Sequence, residues 1–298
     1  MGIDLSRLST EGRNERTRDL DQMGPRELVA AMNEEDARVA PAVREELDHI
    51  AQAVAWGVEA LSAGGRIVYF GAGTSGRLGV LDAVECPPTF GVEPERVVGL
   101  IAGGEGAFVR AVEGAEDSAE LCARELDEIG LEARDLAVGI AASGRTPYVV
   151  GGLRRARELG CRTVAIACNR DSVIGREAEL AIEVDCGPEV LTGSTRLKAG
   201  TAQKMVLNMI STGSMVGVGK AYQNLMVDVQ QTNDKLRVRA QNIVMEATGC
   251  SRDAAAAALS EAEGSAKVAI VMLLAEVCAS EAKARLARAK GKVRGAIA

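Results

Sequence analysis

The chain has 298 residues, 47% of them apolar but only 2% aromatic, so it can bury a large aliphatic core in one sizeable domain with an appendage, or in two modest ones. A formal net charge of −7 and a pI near 5.1 argue against a partner held through a phosphate backbone, so nucleic acid is not expected. No run of about 18 apolar residues occurs, so no membrane span is expected.

The opening MGIDLSRLSTEGRNERTRDLDQ is charged and lacks the apolar centre of a signal peptide, and residues 1–24 read as a polar surface wrap. Seven cysteines, at 86, 122, 161, 168, 186, 250 and 278, include no C-x-x-C pair, so neither a metal site nor a disulfide framework is expected. They read as small buried hydrophobes in a reducing cytoplasm. Pro25 to Gly64 reads as helix, with Val43, Leu47, Ile50, Val54, Val58 and Leu61 at three- and four-residue steps and Gly64-Gly65 as its stop. Five short apolar segments follow: Arg66–Phe70, Val97–Ala102, Leu136–Ala141, Thr163–Ala167 and Leu180–Val184. Each is continuous rather than alternating, as in strands buried on both faces, and helical stretches such as Pro147–Gly160 separate them. The pattern predicts an α/β fold, a doubly wound five-stranded parallel sheet with ligands at the carboxyl ends of its strands. After Asp185 the chain reads as helical: Arg196–Gly219, then Arg252–Ala258, Gly264–Val277 and Ser280–Lys290. This divides it into residues 1–245, the sheet with its N-terminal helices, and 246–298, a small helical bundle.

The first strand runs into Gly71-Ala72-Gly73-Thr74-Ser75-Gly76, a G-x-G-x-x-G pattern that also opens dinucleotide sites. Those sites need an acidic residue at the end of the following strand. Glu93 and Glu95 precede Val97–Ala102 instead, and Glu105 follows it after two glycines. The third strand enters a matching turn, Ser143-Gly144-Arg145-Thr146, before Pro147, which suits a first helical turn. Serine there is commonly a plain N-cap. Two matched loops at strand ends instead favour an anion: helix N-termini offer free N–H groups and a positive dipole end, and Thr74, Ser75, Ser143 and Thr146 add hydroxyls. Neither loop has the G-K-[ST] of a P-loop, which puts a phosphomonoester ahead of ATP.

With these loops the sequence resembles the sugar isomerase (SIS) domain family, whose members bind phosphosugars. GAGTSGRLGVLDAVECPPTFG at 71–91, LIAGGEGAFVRAVEGAEDS at 100–118, GIAASGRTPYVVGGL at 139–153 and LTGSTRLKAGTAQKMVLNMIST at 191–212 narrow the likeness to the N-acetylmuramic acid 6-phosphate etherases. STEGRN at 9–14 and NLMVDVQQTNDKLRVRA at 224–240 extend it over nearly the whole chain. The resemblance implies an SIS-type sheet and conversion of phosphorylated N-acetylmuramate and water to N-acetylglucosamine 6-phosphate and D-lactate. It also implies no cofactor, a place in cell-wall sugar recycling or use, and a homodimer with sites built partly from both subunits.

The residues bear on that chemistry. In the open-chain sugar the C2 hydrogen is α to the aldehyde, so lactate can leave C3 by elimination and water can add back, which needs acid/base groups rather than a nucleophile or metal. The single histidine, His49, falls in a helix before the sheet and reads as structural. Carboxylates remain, though most acidic residues are solvated surface charges. The resemblance assigns the pair as Glu85, which protonates lactate and then activates water, and Glu116, its partner at C2, with Glu105 and Glu113 as nearby rivals. Read from the residues, Pro87-Pro88 should halt the helix after Glu85 and let its carboxylate turn toward the site. Thr74, Ser75, Gly76, Ser143, Gly144, Arg145 and Thr146 are the expected phosphosugar-binding residues. Lys198 is a candidate for the lactyl carboxylate or phosphate, as are Arg77 and Arg145, and ion pairs or helix-end charges are the alternative for each. Residues 205, 207, 209 and 215 read as core or dimer interface. The rivals are a phosphosugar-sensing regulator of the glucokinase regulatory protein type, which is longer and needs no paired glutamates, and an aldose–ketose phosphosugar isomerase, which releases no lactate.

Overall fold

The computed structural model describes residues 8–110, 112–229 and 234–298. Its packing divides the chain into two compact units, one of Met1–Val84 and Glu95–Ser211, the other of Glu85–Pro94 and Thr212–Ala298. The boundary expected near residue 245 falls inside the second unit.

The first unit opens with α1 (Pro25–Asp36), α2 (Val39–Arg44) and α3 (Leu47–Ser62), where one continuous helix was expected. Pro41 accounts for the first break: in a continuous helix its ring would strike the carbonyl of Ala37 and it could not donate to it. The alternating part follows: β1 (Ile67–Gly71), α4 (Gly73–Phe90), β2 (Val97–Ile101), α5 (Ala119–Glu128), β3 (Leu136–Ile140), α6 (Pro147–Glu158), β4 (Arg162–Ala167), α7 (Val173–Glu177), β5 (Leu180–Glu183) and α8 (Lys198–Gly217). All five strands pair in parallel in the order β2-β1-β3-β4-β5. The expected doubly wound sheet is therefore present, each strand within a residue or so of its expected bounds.

Every residue of β1 and β3 is buried. Alternation sends Val68 and Phe70 to one face, where they pack with Cys122, Leu126, Tyr148, Val149 and Leu153 of α5 and α6. Tyr69 and Ile140 face α4, and Gly79 lets that helix approach, since a Cβ there would lie 3.0 Å from Tyr69 Cβ. The strand order reverses between β1 and β3, so the connections leaving their carboxyl ends diverge there and open a crevice.

α4 and α8 each begin in the first unit and finish in the second. α4 does not halt at Pro87-Pro88 as expected but carries both prolines within it. It ends at Gly91, whose N–H bonds the Pro87 carbonyl and whose φ of +59° suits glycine. The second unit continues with a short antiparallel ribbon, β6 (Ala221–Tyr222) and β7 (Leu225–Met226), and then α9 (Asp234–Thr248), α10 (Arg252–Glu261), α11 (Ala266–Ala275), α12 (Ala279–Arg288) and α13 (Val293–Ile297). Its core is aliphatic, centred on α11, where Val268 to Met272 are all buried. Among the described residues no helix is long and apolar enough to cross a membrane.

Candidate active site

The first loop is shaped by its glycines. A Cβ on Gly71 would lie 2.8 Å from the Ile140 carbonyl oxygen, and one on Gly76 2.5 Å from the Gly71 carbonyl oxygen, so β1, β3 and the start of α4 are packed backbone to backbone. Gly73 opens the helix at a φ of +52°, with open space where a side chain would stand. This is the close helix–strand packing that dinucleotide loops use, here without their ribose-binding acid.

The two Ser-Gly-Arg turns, expected to match, are not equivalent. Ser75 lies inside the first turn of α4 and is buried, its Oγ donating to Gln203 Oε1 at 3.0 Å. Ser143 lies in the turn before α6, and Thr146 occupies the cap position with no side-chain capping bond. Gly144, at φ +70°, packs on Ser172, where a Cβ would come within 2.4 Å of Ser172 Cβ. Thr74 is half-buried, and a Cβ added to Gly200 of α8 would stand 3.6 Å from its Cγ2. The register pairs Gly71 with Ile140, so both loops leave neighbouring strand ends.

A cleft of about 320 Å³ lies beside the first loop, lined by Gly73, Arg77, Ala107, Glu113 and Glu116 among others. Glu116 stands in a single turn (Ala115–Asp117) just ahead of α5, after Gly114 in the left-handed region. Ser118 caps α5 by accepting the Leu121 N–H at 3.2 Å. α6 presses on that start, since a Cβ on Gly151 would lie 2.0 Å from the Ala119 carbonyl oxygen. Glu113 shares the cleft with Glu116, whereas Glu105 is not among its lining residues. Nor are Glu85, which is exposed on α4 in the second unit, and the 143–146 loop.

The three candidate cations are placed differently. Arg77 donates from Nε to the Phe108 carbonyl at 2.8 Å and from Nη2 to the Ala107 carbonyl at 3.0 Å. Arg145 is half-buried. Lys198 is 1% exposed, its Nζ 2.5 Å from Glu35 Oε2 and 3.0 Å from the Cys186 carbonyl oxygen. It is therefore enclosed in an internal ion pair rather than offered to a substrate carboxylate. Burial opposes ionisation of Glu35, but the Lys198 hydrogen bond and charge, helped by Arg38, hold its carboxyl below the usual range.

Three polar residues, Glu189 and Gln203 buried and Asp82 partly so, were missed by sequence reasoning. Glu189 accepts the Lys198 and Ala199 N–H groups, both at 3.0 Å, and so caps α8; burial pushes its carboxyl up. Gln203 anchors the first loop. Asp82, deeper on α4, accepts from Ser211 Oγ at 3.1 Å, and burial raises its carboxyl above the ordinary range against hydrogen bonds from Tyr69 and Ser211. Among the described residues no cluster of three or more His, Cys, Asp or Glu is placed to hold a metal ion.

The family profile of the glucokinase regulatory protein N-terminal SIS domain matches residues 49–157, and that of the SIS domain matches 123–212. The N-acetylmuramic acid 6-phosphate etherase of Mycolicibacterium smegmatis is 61% identical over 295 residues, 99% of this chain and 99% of its own. This chain belongs to the N-acetylmuramic acid 6-phosphate etherase family. Another etherase, from an Exiguobacterium species, is 60% identical over 293 residues, 98% of this chain and 100% of its own. Among solved structures, a phosphoheptose isomerase from Francisella tularensis superposes with a TM-score of 0.51 at 16% identity, covering 65% of this chain and all of that one. That likeness concerns the fold alone. The etherase family is thus built here on an SIS-type sheet, with the first loop and the Glu116 turn facing one cleft.

Proposed function

We propose that this protein is an N-acetylmuramic acid 6-phosphate etherase, which uses water to release D-lactate from N-acetylmuramate 6-phosphate and leaves N-acetylglucosamine 6-phosphate. The observation that carries the reading is 61% identity, across 99% of both chains, to a relative of that name. The cleft supports it, because Glu116 and the N-terminus of α4 line one space at the carboxyl ends of β1 and β2. A regulator of the glucokinase regulatory protein type is not favoured, since the full-length matches bear the etherase name.

The reaction needs no metal or redox partner. In the open-chain sugar a base takes the C2 proton, the electron pair becomes the C2–C3 double bond, and the C3–O bond breaks as an acid protonates the departing lactate. Water then adds its oxygen to C3 while a proton returns to C2. In our reading Glu85 protonates lactate and then activates water, and Glu116 assists at C2. The phosphate is bound by the α4 N-terminus with Thr74, Ser75 and Gly76 and by Ser143, Gly144, Arg145 and Thr146. Two coupled carboxylates can exchange such tasks. A homodimer is part of the proposal: Leu81 and Val84, which share the turn before Glu85, are exposed at 36% and 58%, and apolar residues in such a stripe suit burial against a second copy. A cytoplasmic role in recycling cell-wall sugar fits the lack of a membrane-spanning helix among the described residues.

The test is incubation of the purified protein with N-acetylmuramate 6-phosphate in ¹⁸O-water. D-lactate should appear, with the label at C3 of the sugar. Absence of lactate would sink the etherase reading, and label in the lactate would sink elimination and hydration.

A further inference from the structure

Arg77 follows directly on the first loop of a site read as phosphate-binding, and a guanidinium there would ordinarily be assigned to the phosphate. Its hydrogen bonds go elsewhere. Both run to main-chain carbonyls of the segment after β2, from Nε to Phe108 at 2.8 Å and from Nη2 to Ala107 at 3.0 Å. Among the described residues of that segment, Ala107 and Val112 also pack on Gly103, where a Cβ would lie 3.3 and 2.7 Å from theirs, but most of its apolar side chains face outward. Ala107 is buried, but Phe108, Val109 and Val112 are exposed at 41%, 81% and 49%. Its main-chain bonds are local, Gly104 to Ile101, Ala107 to Gly104, Val109 and Arg110 to Gly106, and Asp117 to Gly114. Its far end is fixed differently, by the Ser118 cap on α5 and the close approach of Gly151. Glu113 and Glu116 lie between these two anchor points and face the cleft that Arg77 itself lines.

We infer that Arg77 is a positioning residue for Glu116: it fixes the near end of the 105–117 segment so that the carboxylate stands at the reacting carbons, and it does not bind the substrate phosphate. This rests on the etherase reading and on Glu116 acting in it. A planar fork with several donors can hold two successive carbonyls in one geometry, whereas an ammonium on a flexible stem holds them less rigidly. Misplacement of an acid/base group by about 1 Å can cost on the order of 100-fold in rate while leaving ground-state contacts intact. The two roles therefore separate kinetically. Loss of a positioning residue lowers kcat, and loss of a phosphate ligand raises KM and weakens every phosphosugar alike.

The experiment compares Arg77→Met and Arg77→Lys with the unaltered protein in three measurements. These are turnover of N-acetylmuramate 6-phosphate, calorimetric affinity for N-acetylglucosamine 6-phosphate, and amide hydrogen exchange over residues 104–117. Arg77→Met should lower kcat by about 10- to 100-fold, with KM and product affinity within about two-fold and faster exchange confined to that segment. Arg77→Lys, which keeps the charge, should recover part of the rate and serves if the methionine variant does not fold. In a Glu116→Gln background Arg77→Met should add little further loss, because the two changes act through one group. A rise of about ten-fold or more in KM and in the product dissociation constant, with kcat retained, would overturn the inference in favour of a phosphate ligand. Unchanged kcat and unchanged exchange would overturn it too. If the unaltered protein releases no lactate, the etherase reading fails by itself, and the exchange data still decide whether Arg77 holds the segment.

Discussion

Lys198 Nζ stands 2.5 Å from Glu35 Oε2, and both side chains are enclosed, at 1% and 2% exposure. This places a family-motif lysine under α8 as a structural member, where its own N–H and that of Ala199 are also taken up by Glu189. Removing Lys198 takes away the enclosed partner of Glu35 and leaves only the half-exposed Arg16 and Arg38, at 3.3 and 3.6 Å, beside a buried carboxylate. Lys198→Met should therefore cost about 3–5 kcal/mol in urea unfolding, with KM little changed in whatever protein folds. A stable variant with a greatly raised KM would show that the lysine meets substrate after all.

The same pair sets a pH dependence. Glu35 is held below the ordinary carboxylate value of 4.5, so its contribution is present above that pH and lost as pH falls through the depressed value. The stability gap between the unaltered protein and Glu35→Gln should be widest near neutrality and close on acidification, as followed by urea midpoints from pH 7 to pH 3. A gap that widens in acid would contradict the assignment.

Asp82 has the opposite sign. Its carboxyl is raised above the ordinary 3.8, chiefly by burial, so ionising it costs the fold and its contribution is lost as pH rises. Asp82→Asn should gain relative to the unaltered protein between pH 4 and pH 7, by on the order of 1 kcal/mol. A variant that loses ground over that interval would refute this.

Ser75 and Gln203 link the first loop to α8 at 3.0 Å. Ser75→Ala and Gln203→Leu should each raise KM for the phosphosugar by roughly ten-fold, and the double variant should be no worse than either single one. Fully additive losses would mean that the two residues act separately.

For the chemistry, Glu85→Gln should lower kcat by at least about 100-fold, in the range of general acid/base catalysis, while N-acetylglucosamine 6-phosphate still binds. Full turnover would remove Glu85 from the reaction.

The sheet was legible because buried parallel strands leave continuous apolar runs, as in Ile67–Phe70 and Val164–Ala167, and each run reports only on its own residues. The N-terminal arm was not legible in the same way. Residues 1–24 read as a polar wrap, yet Thr10, Asn14 and Thr17 are buried, with Thr10 and Asn169 joined by side chains and Thr17 Oγ1 on the Val190 carbonyl. Those partners lie more than 150 positions away, and nothing local marks them. Residues 1–7 fall outside the described set. The glycine-rich loop was recognisable, but the likeness of the two Ser-Gly-Arg turns misled, because the first lies inside α4 and the second in the turn ahead of α6. Lys198 and Arg77 show the same limit: residue type and motif suggested anion ligands, and only packing revealed Glu35 and the 107–108 carbonyls. The break ahead of α2 was present in the sequence as Pro41, a proline inside the stretch read as one helix.

With Lys198 and Arg77 both committed inside the first unit, two of the three candidate cations are already engaged. What the start of α4 offers a dianion is chiefly peptide dipoles, and the field of a dipole fades with distance faster than that of a charge. On a chain of net charge −7 such a site exerts no long-range pull on an anionic sugar; it rewards the ligand only on contact. Added salt should then ease capture by screening the chain's repulsion of an anionic sugar, and the discrimination the site achieves is one of shape read at close quarters.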